Sequence, residues 1–242
     1  MKTIKIIDKG TNIRQKLVSG KGSPFSTYKK LTVGDASFSR FLRYELYTSF
    51  FGSMPGGIGY FLRKKFYPSF IGKIGKGVII GKNVIIRHPE KLFIGDHVTI
   101  DDNCLIDARG AGNEGFSIED NVLINRNCIL IAKNGAIRIG AGSSLGSNNV
   151  IVSMDGVTIG KSVLTAGGCY VSAGNYEHQE VDKPIIDQNL YTTGPVFIGD
   201  GAWIATRATI LDGIHIGSNA IIGAGALVMD DIPSKAIAVG IP

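Results

Sequence analysis

The sequence is poor in the features that would commit it to several common classes. It has three cysteines, Cys104, Cys128 and Cys169, none in CxxC spacing and too few to pair completely, which argues against a disulfide framework and a thiolate zinc site. It has no apolar run of about 18 residues, so no spanning helix is expected. Met1-Lys-Thr-Ile-Lys opens no apolar stretch ending in a small-residue cleavage site, so no secretory signal is expected either. The default location is the cytoplasm, with the inner face of the membrane as a second station. Charged residues are only 19% of the chain and prolines number eight, unlike a disordered segment. The net charge of +6 suits nucleic acid, a phosphorylated cofactor or an anionic membrane equally. Charge alone does not choose, and nothing else in the sequence calls for a nucleic-acid partner.

Glycine, by contrast, is abundant, at 33 of 242 residues, and a repeat explains it. From Ile74 onward the chain runs in hexads, each opening on an aliphatic residue and placing a compact residue at its fifth position. The hexads fall into seven groups of three, with every extra residue confined to the junctions between groups. Stacking the groups gives three columns. One holds Ile74, Ile94, Ile118, Ile139, Ile159, Ile198 and Ile216. The next holds Ile80, Ile100, Ile124, Leu145, Thr165, Ile204 and Ile222. The last holds Ile86, Ile106, Leu130, Ile151, Val171, Ile210 and Val228. All but Thr165 are aliphatic, and β-branched residues suit a strand surface. A strict period with insertions at one corner is the mark of a solenoid. Three hexads per coil predict an all-β solenoid of about seven triangular coils, over residues 72–242. The second-position glycines mark a steric or backbone-angle demand at a corner. Gly140-Ala-Gly-Ser-Ser-Leu-Gly146 does not match GxxxxGK[ST] and is not a phosphate loop. Each cysteine takes a fifth position and reads as a small core residue.

Residues 1–35 form a lead-in, with a strand expected at Lys5-Ile6-Ile7 and Gly/Ser/Pro-rich sequence around Ser19 to Pro24. Residues 36–71 form a short helical segment. Phe38, Phe41, Leu42, Leu46 and Phe50 fit helical spacing, Pro55-Gly56-Gly57 breaks the run, and a second helix is expected from Ile58 to Tyr67. That helix sets Arg63, Lys64 and Lys65 beside aromatics. Two readings stay open: an interfacial helix on anionic lipid, or a cap on the open end of the repeat stack.

The largest interruption of the period, residues 174–195, adds 21 residues at one corner. A loop of that length without structure of its own is functional or disordered. It carries His178, and imidazole titrates near working pH, as a general base must. His97 and His215 fall on outward hexad positions, and His88 precedes Pro89 at a small corner insertion; these read as structural or exposed.

The hexads resemble those of the hexapeptide-repeat acyltransferases, most of all sugar O-acetyltransferases related to galactoside and maltose acetyltransferases. The resemblance covers residues 72–242. It implies a left-handed parallel β-helix, where an ordinary parallel crossover would be right-handed, and a homotrimer. It also implies acetyl-CoA as acyl donor, no metal, and His178 as the catalytic base, since such enzymes place a catalytic His in the corresponding loop. Asn148, 30 residues before His178, matches an Asn that positions the acceptor or stabilises an oxyanion, while the adjacent Asn149 reads as core. Trp203, the one tryptophan, corresponds to a residue beside the catalytic His and the acyl-CoA arm; packing against a neighbouring subunit is the alternative. The coenzyme groove is implied at Trp203, Ala205, Gly223, Ala224 and Gly225. Relatives carry a Thr-Lys where this chain has Met229-Asp230, so Lys235 or Arg207 stands in for the phosphate contact. Relatives also continue beyond Gly240-Ile-Pro242, so a C-terminal tail is expected.

The function implied is acetylation of a sugar hydroxyl, on a free or lipid-linked saccharide, in cell-surface polysaccharide synthesis, with peripheral membrane contact through residues 36–71. N-acetylation of an amino sugar nucleotide or antibiotic is the alternative within the enzyme class. A non-catalytic scaffold is the alternative outside it. The HxxxxH pair of a zinc hydratase on the same helix is absent from the sequence.

Overall fold

A computed structural model describes residues 4–7, 23–172 and 174–242, so most of the Gly/Ser-rich lead-in lies outside the described residues. Short strands of two to four residues build three parallel sheets of seven, eight and seven strands. Their register is the one the hexad columns predict. Ile74 pairs with Ile94, Ile124 with Leu145 and Ile151 with Val171. Across the 21-residue interruption, Ile159 still pairs with Ile198, Thr165 with Ile204 and Val171 with Ile210. The hexad heads point inward and form one continuous core; Ile100, Ile106, Ile124, Leu130, Ile198 and Ile210 are fully buried. The result is a left-handed parallel β-helix of about seven turns behind three α-helices.

The structure adds a partial eighth coil that the hexad count ends short of. Ile232 bridges to Ile216, and Ile237–Ala238 pairs with Ile221–Ile222. Ile232 follows Val228 by four positions, not six, so the period is broken just where this coil begins.

The second-position glycines answer a steric demand. Gly140 and Gly199 have ordinary backbone angles, but a Cβ on either would come within 2.5 Å of the backbone of the next coil. Left-handed corner positions fall instead to Asn83, Asn103, Asn127 and Asn148, with φ between 56° and 62°, a conformation Asn tolerates better than other side chains. The one break in the aliphatic columns is explained by its neighbour: Asn149 donates its amide to the Thr165 hydroxyl at 2.6 Å and accepts the Cys169 N–H at 2.7 Å. Asn149 is thus a satisfied core group. The three cysteines are buried and unpaired. Burial pushes the Cys169 thiol up; the hydrogen bond to Cys128, and then burial, push Cys104 up.

The helices are Pro24–Val33, Phe38–Phe51 and Gly56–Phe66. The second and third start within two residues of expectation; the first lies in what the sequence reads as lead-in, and begins with Pro24 at a first-turn position that suits proline. Together they close the first end of the prism. Arg63 is buried and donates to the carbonyls of Ile80, Phe51 and Met54 at 2.8–2.9 Å, tying both later helices to the first coil. His88 is buried and left-handed (φ 53°). Its backbone N–H donates to the Thr32 carbonyl, and its Nε2 lies 2.9 Å from the Lys30 carbonyl oxygen. Its role is therefore to clasp the first helix to the solenoid. Among the described residues no helix is long and apolar enough to cross a membrane.

Candidate active site

Residues 174–195 leave the prism at the edge between the third and first sheets, after strand Tyr170–Ser172 and before strand Val196–Ile198. They are not structureless, which corrects the expectation of a bare loop. Asn175–Tyr176 pairs antiparallel with Leu190–Thr192, and the latter pairs on its other side with Lys5–Ile7, making a three-stranded sheet. The N-terminal strand thus serves as the outer support of the insertion. Lys5 also forms an ion pair with Asp155 at 2.5 Å at the same edge of the prism. The sequence hides this sheet because its strands are two or three residues long and distant in sequence.

Two groups hold the hairpin. At its base, Asp212 is nearly buried. It accepts the Thr192 hydroxyl at 2.8 Å, and the Thr193 N–H and hydroxyl at 2.5 and 3.0 Å. At its tip, buried Gln188 donates to the carbonyls of Glu180 and Lys183 at 2.8 and 2.9 Å. Glu177 and Asn189 close the hairpin with a backbone and a side-chain hydrogen bond. Sequence reasoning missed Asp212 and Gln188; an Asp in the last hexad of the coil above the insertion, at the same corner, was the available signal.

His178 follows the first strand of this hairpin and is exposed. Its Nδ1 lies 3.4 Å from the Tyr176 carbonyl oxygen, which can only accept. The contact is long. His178 is therefore placed as an exposed imidazole on a supported hairpin.

Asn148 sits at the corner between the second and third sheets, on top of an exposed ladder. Asn83 donates to Asn103 at 3.0 Å, Asn103 to Asn127 at 3.3 Å, and Asn127 to Asn148 at 3.1 Å. The next coil has Gly168 at this position and the one after it Arg207, whose side chain packs over the Gly168 corner, so the Asn ladder stops at Asn148. Trp203 lies on the second sheet between Leu164 and Ile221 and is 46% exposed. Gly223, Ala224 and Gly225 turn the same corner as Asn148, two coils above Gly168. The N–H groups of Ala205, Gly223 and Gly225 are bonded to Ile222, Ala238 and Thr206. Lys235 (φ 62°) stands at the other edge of the second sheet.

The candidates therefore fall into two sets within one chain. Asn148, Trp203, Ala205, Gly223, Ala224, Gly225 and Lys235 line the second sheet and its two edges. His178 lies at the opposite edge of the triangle, and among the described residues no hydrogen bond or ring contact joins it to any of them. No cluster of His, Cys, Asp and Glu able to hold a metal ion occurs among the described residues.

Comparison with known proteins agrees with this architecture. Residues 195–229 match the bacterial transferase hexapeptide model (six repeats), and residues 97–132 and 136–173 match the hexapeptide repeat of succinyl-transferase. The chain is 37% identical over 111 residues to a probable acetyltransferase of Mycobacterium tuberculosis, covering 46% of this chain and 37% of that protein. It is 37% identical over 107 residues to the galactoside O-acetyltransferase of Escherichia coli, covering 44% and 51%. The matches thus span about half, or less, of those relatives' length. Among solved structures, a variant of AntD, an N-acyltransferase from Bacillus cereus in complex with dTDP and coenzyme A, superposes with a TM-score of 0.50 at 19% identity, covering 74% of this chain and 85% of that one, a likeness of fold. With its hexads in ladder register, its hexapeptide-repeat matches and its sequence relatives among the acetyltransferases, the chain is similar to the hexapeptide-repeat acyltransferases.

Proposed function

We propose that this chain transfers an acetyl group from acetyl-CoA to the hydroxyl of a sugar, free or lipid-linked, in the synthesis of a cell-surface polysaccharide. The observation that carries the proposal is His178: the one long departure from the hexad period is a supported hairpin that presents an exposed imidazole. The named activity of the Escherichia coli relative, galactoside O-acetylation, supports a sugar hydroxyl as the acceptor.

In this reading Nε2 takes the acceptor proton as the oxygen attacks the thioester carbonyl. The C–S bond then breaks, and the imidazolium returns the proton to the departing thiolate. Asn148 presents its –NH₂ to the acceptor or to the developing oxyanion. Trp203, Ala205 and residues 223–225 flank the coenzyme, with Lys235 or Arg207 toward its phosphates.

Because His178 stands at the edge opposite the second sheet, the two sets of residues meet only if the hairpin of one copy reaches the second sheet of another. A closed cyclic homotrimer supplies that contact three times over.

Incubation with acetyl-CoA and a panel of hydroxyl and amino sugars tests the reading, with thiol release followed and the product identified by mass. A product that loses its acetyl group in mild alkali is an ester, as proposed. An alkali-stable product is an amide and favours N-acetylation. Thiol release with none of the acceptors, together with no binding of acetyl-CoA, favours the scaffold.

A further inference from the structure

The helix Phe38–Phe51 is apolar on two opposite sides. Phe41 and Tyr44 are buried against the solenoid end, where the Tyr44 hydroxyl donates to the Ile86 carbonyl at 2.8 Å. Phe38, Leu42, Leu46 and Phe50, spaced by four, form a second stripe on the far side and are 45–65% exposed. A helix on a soluble surface carries polar residues there. The helix Gly56–Phe66, packed beside it, exposes Ile58 and Phe61 by 73% and 66%. Its Lys64 and Lys65 are exposed as well, each over an aromatic ring, Tyr60 and Phe66, at 5.7 and 5.5 Å.

The charge of this end decides what covers it. Residues 36–71 carry five basic side chains against one acidic. The acidic one, Glu45, already accepts the Tyr28 hydroxyl at 2.9 Å. Among the described residues no ion pair neutralises Arg43, Lys64 or Lys65. A second copy docked here would bring the same cations against these. A bilayer carrying anionic headgroups takes the apolar stripe into its interface and the lysines to its phosphates.

We infer that the helical end of the prism is a docking surface for an anionic lipid membrane, on which the solenoid rests end-on with its sheets and edges free. This does not depend on the acyl-transfer reading, because it is read as binding without acceptor or acetyl-CoA.

Flotation of the full chain with phosphatidylcholine vesicles, with and without phosphatidylglycerol, is the test. The wild type floats with the anionic vesicles and is released by high salt. Both the double variant Lys64→Glu/Lys65→Glu and the double variant Phe50→Ser/Phe61→Ser lose binding about tenfold or more while keeping the wild-type melting temperature, since all four side chains are exposed. No flotation of the wild type, equal flotation with neutral vesicles, or binding unchanged in either variant overturns the inference. So does a lower oligomer mass of Phe50→Ser/Phe61→Ser in light scattering, which would make this face a contact between copies.

Discussion

Asn127 donates its side-chain amide to the Asn148 carbonyl oxygen at 3.1 Å, and this fixes which half of the Asn148 amide faces outward. The side-chain oxygen is engaged from below, so in the proposed reaction Asn148 would meet the acceptor through its –NH₂, as a donor. The rungs beneath it, Asn83 and Asn103, continue the same ladder.

It follows that Asn127→Ala lowers kcat for sugar acetylation about threefold to tenfold, the loss of one oriented hydrogen bond of about 1 kcal/mol, with KM for acetyl-CoA unchanged. Asn148→Ala falls further, and the double variant falls no further than Asn148→Ala alone. Steady-state kinetics on the four proteins checks this; additive losses would make the ladder structural only.

Asp212 holds the base of the His178 hairpin through three hydrogen bonds from Thr192 and Thr193. Asp212→Ala leaves the Thr193 N–H unmatched in a nearly buried site, while the two hydroxyls keep the carbonyls of Gly194 and residue 212, at a cost of about 1–3 kcal/mol. Because the cost falls on the insertion and not on the hexad core, limited proteolysis should cut within residues 174–195 well before any other segment. Wild-type resistance at that segment would show that Lys5–Ile7 alone suffices to hold it.

Arg63 is the single bond between the two later helices and the first coil that satisfies three carbonyls at once. Arg63→Met keeps much of the volume but strands those oxygens, and each hydrogen bond to a charged group is worth about 1.5–3 kcal/mol. The expected loss is about 3 kcal/mol or more in denaturant unfolding. The amplitude should belong to the helical end, while the solenoid sheets unfold at the wild-type midpoint.

Glu90 lies beside the buried His88, Nδ1 to Oε1 at 3.4 Å. Burial alone would raise its carboxyl, but hydrogen bonding from His88 and from the backbone outweighs it and holds the group below its ordinary value. A carboxyl lowered on folding stabilises the protein above its unfolded pKa, and that contribution is lost as pH falls through the folded value. Melting temperature should therefore fall more steeply below the usual glutamate range, about 4.3, in the wild type than in Glu90→Gln. Parallel curves would remove the His88–Glu90 contact as a source of acid sensitivity.

The solenoid was almost wholly legible because its information is local and repeated. Ile159 and Ile198 are 39 residues apart in sequence, yet the same hexad phase assigns both to one ladder, and the structure pairs them. Thr165, the one polar residue in the columns, is explained only by Asn149 beside it in the structure. For the candidate site, the sequence offers residues but not their arrangement. His178 stood out as a histidine inside the one long insertion, but nothing in the sequence joins Lys5–Ile7 to Leu190–Thr192, because three-residue strands far apart carry no periodic signal. Likewise the hexad count places Trp203 soon after His178 along the chain. Only the triangular section shows that an edge and its opposite face separate them.

The measurement that bears most directly on the account is the pair of quantities kcat and acetyl-CoA Kd for wild type and His178→Ala, with the most active sugar acceptor. If Nε2 is the base, the exposed side chain can be removed without disturbing the fold or the coenzyme groove. The account therefore predicts a fall in kcat of about 10²–10⁴ with Kd and melting temperature unchanged. Turnover undiminished in His178→Ala would contradict it.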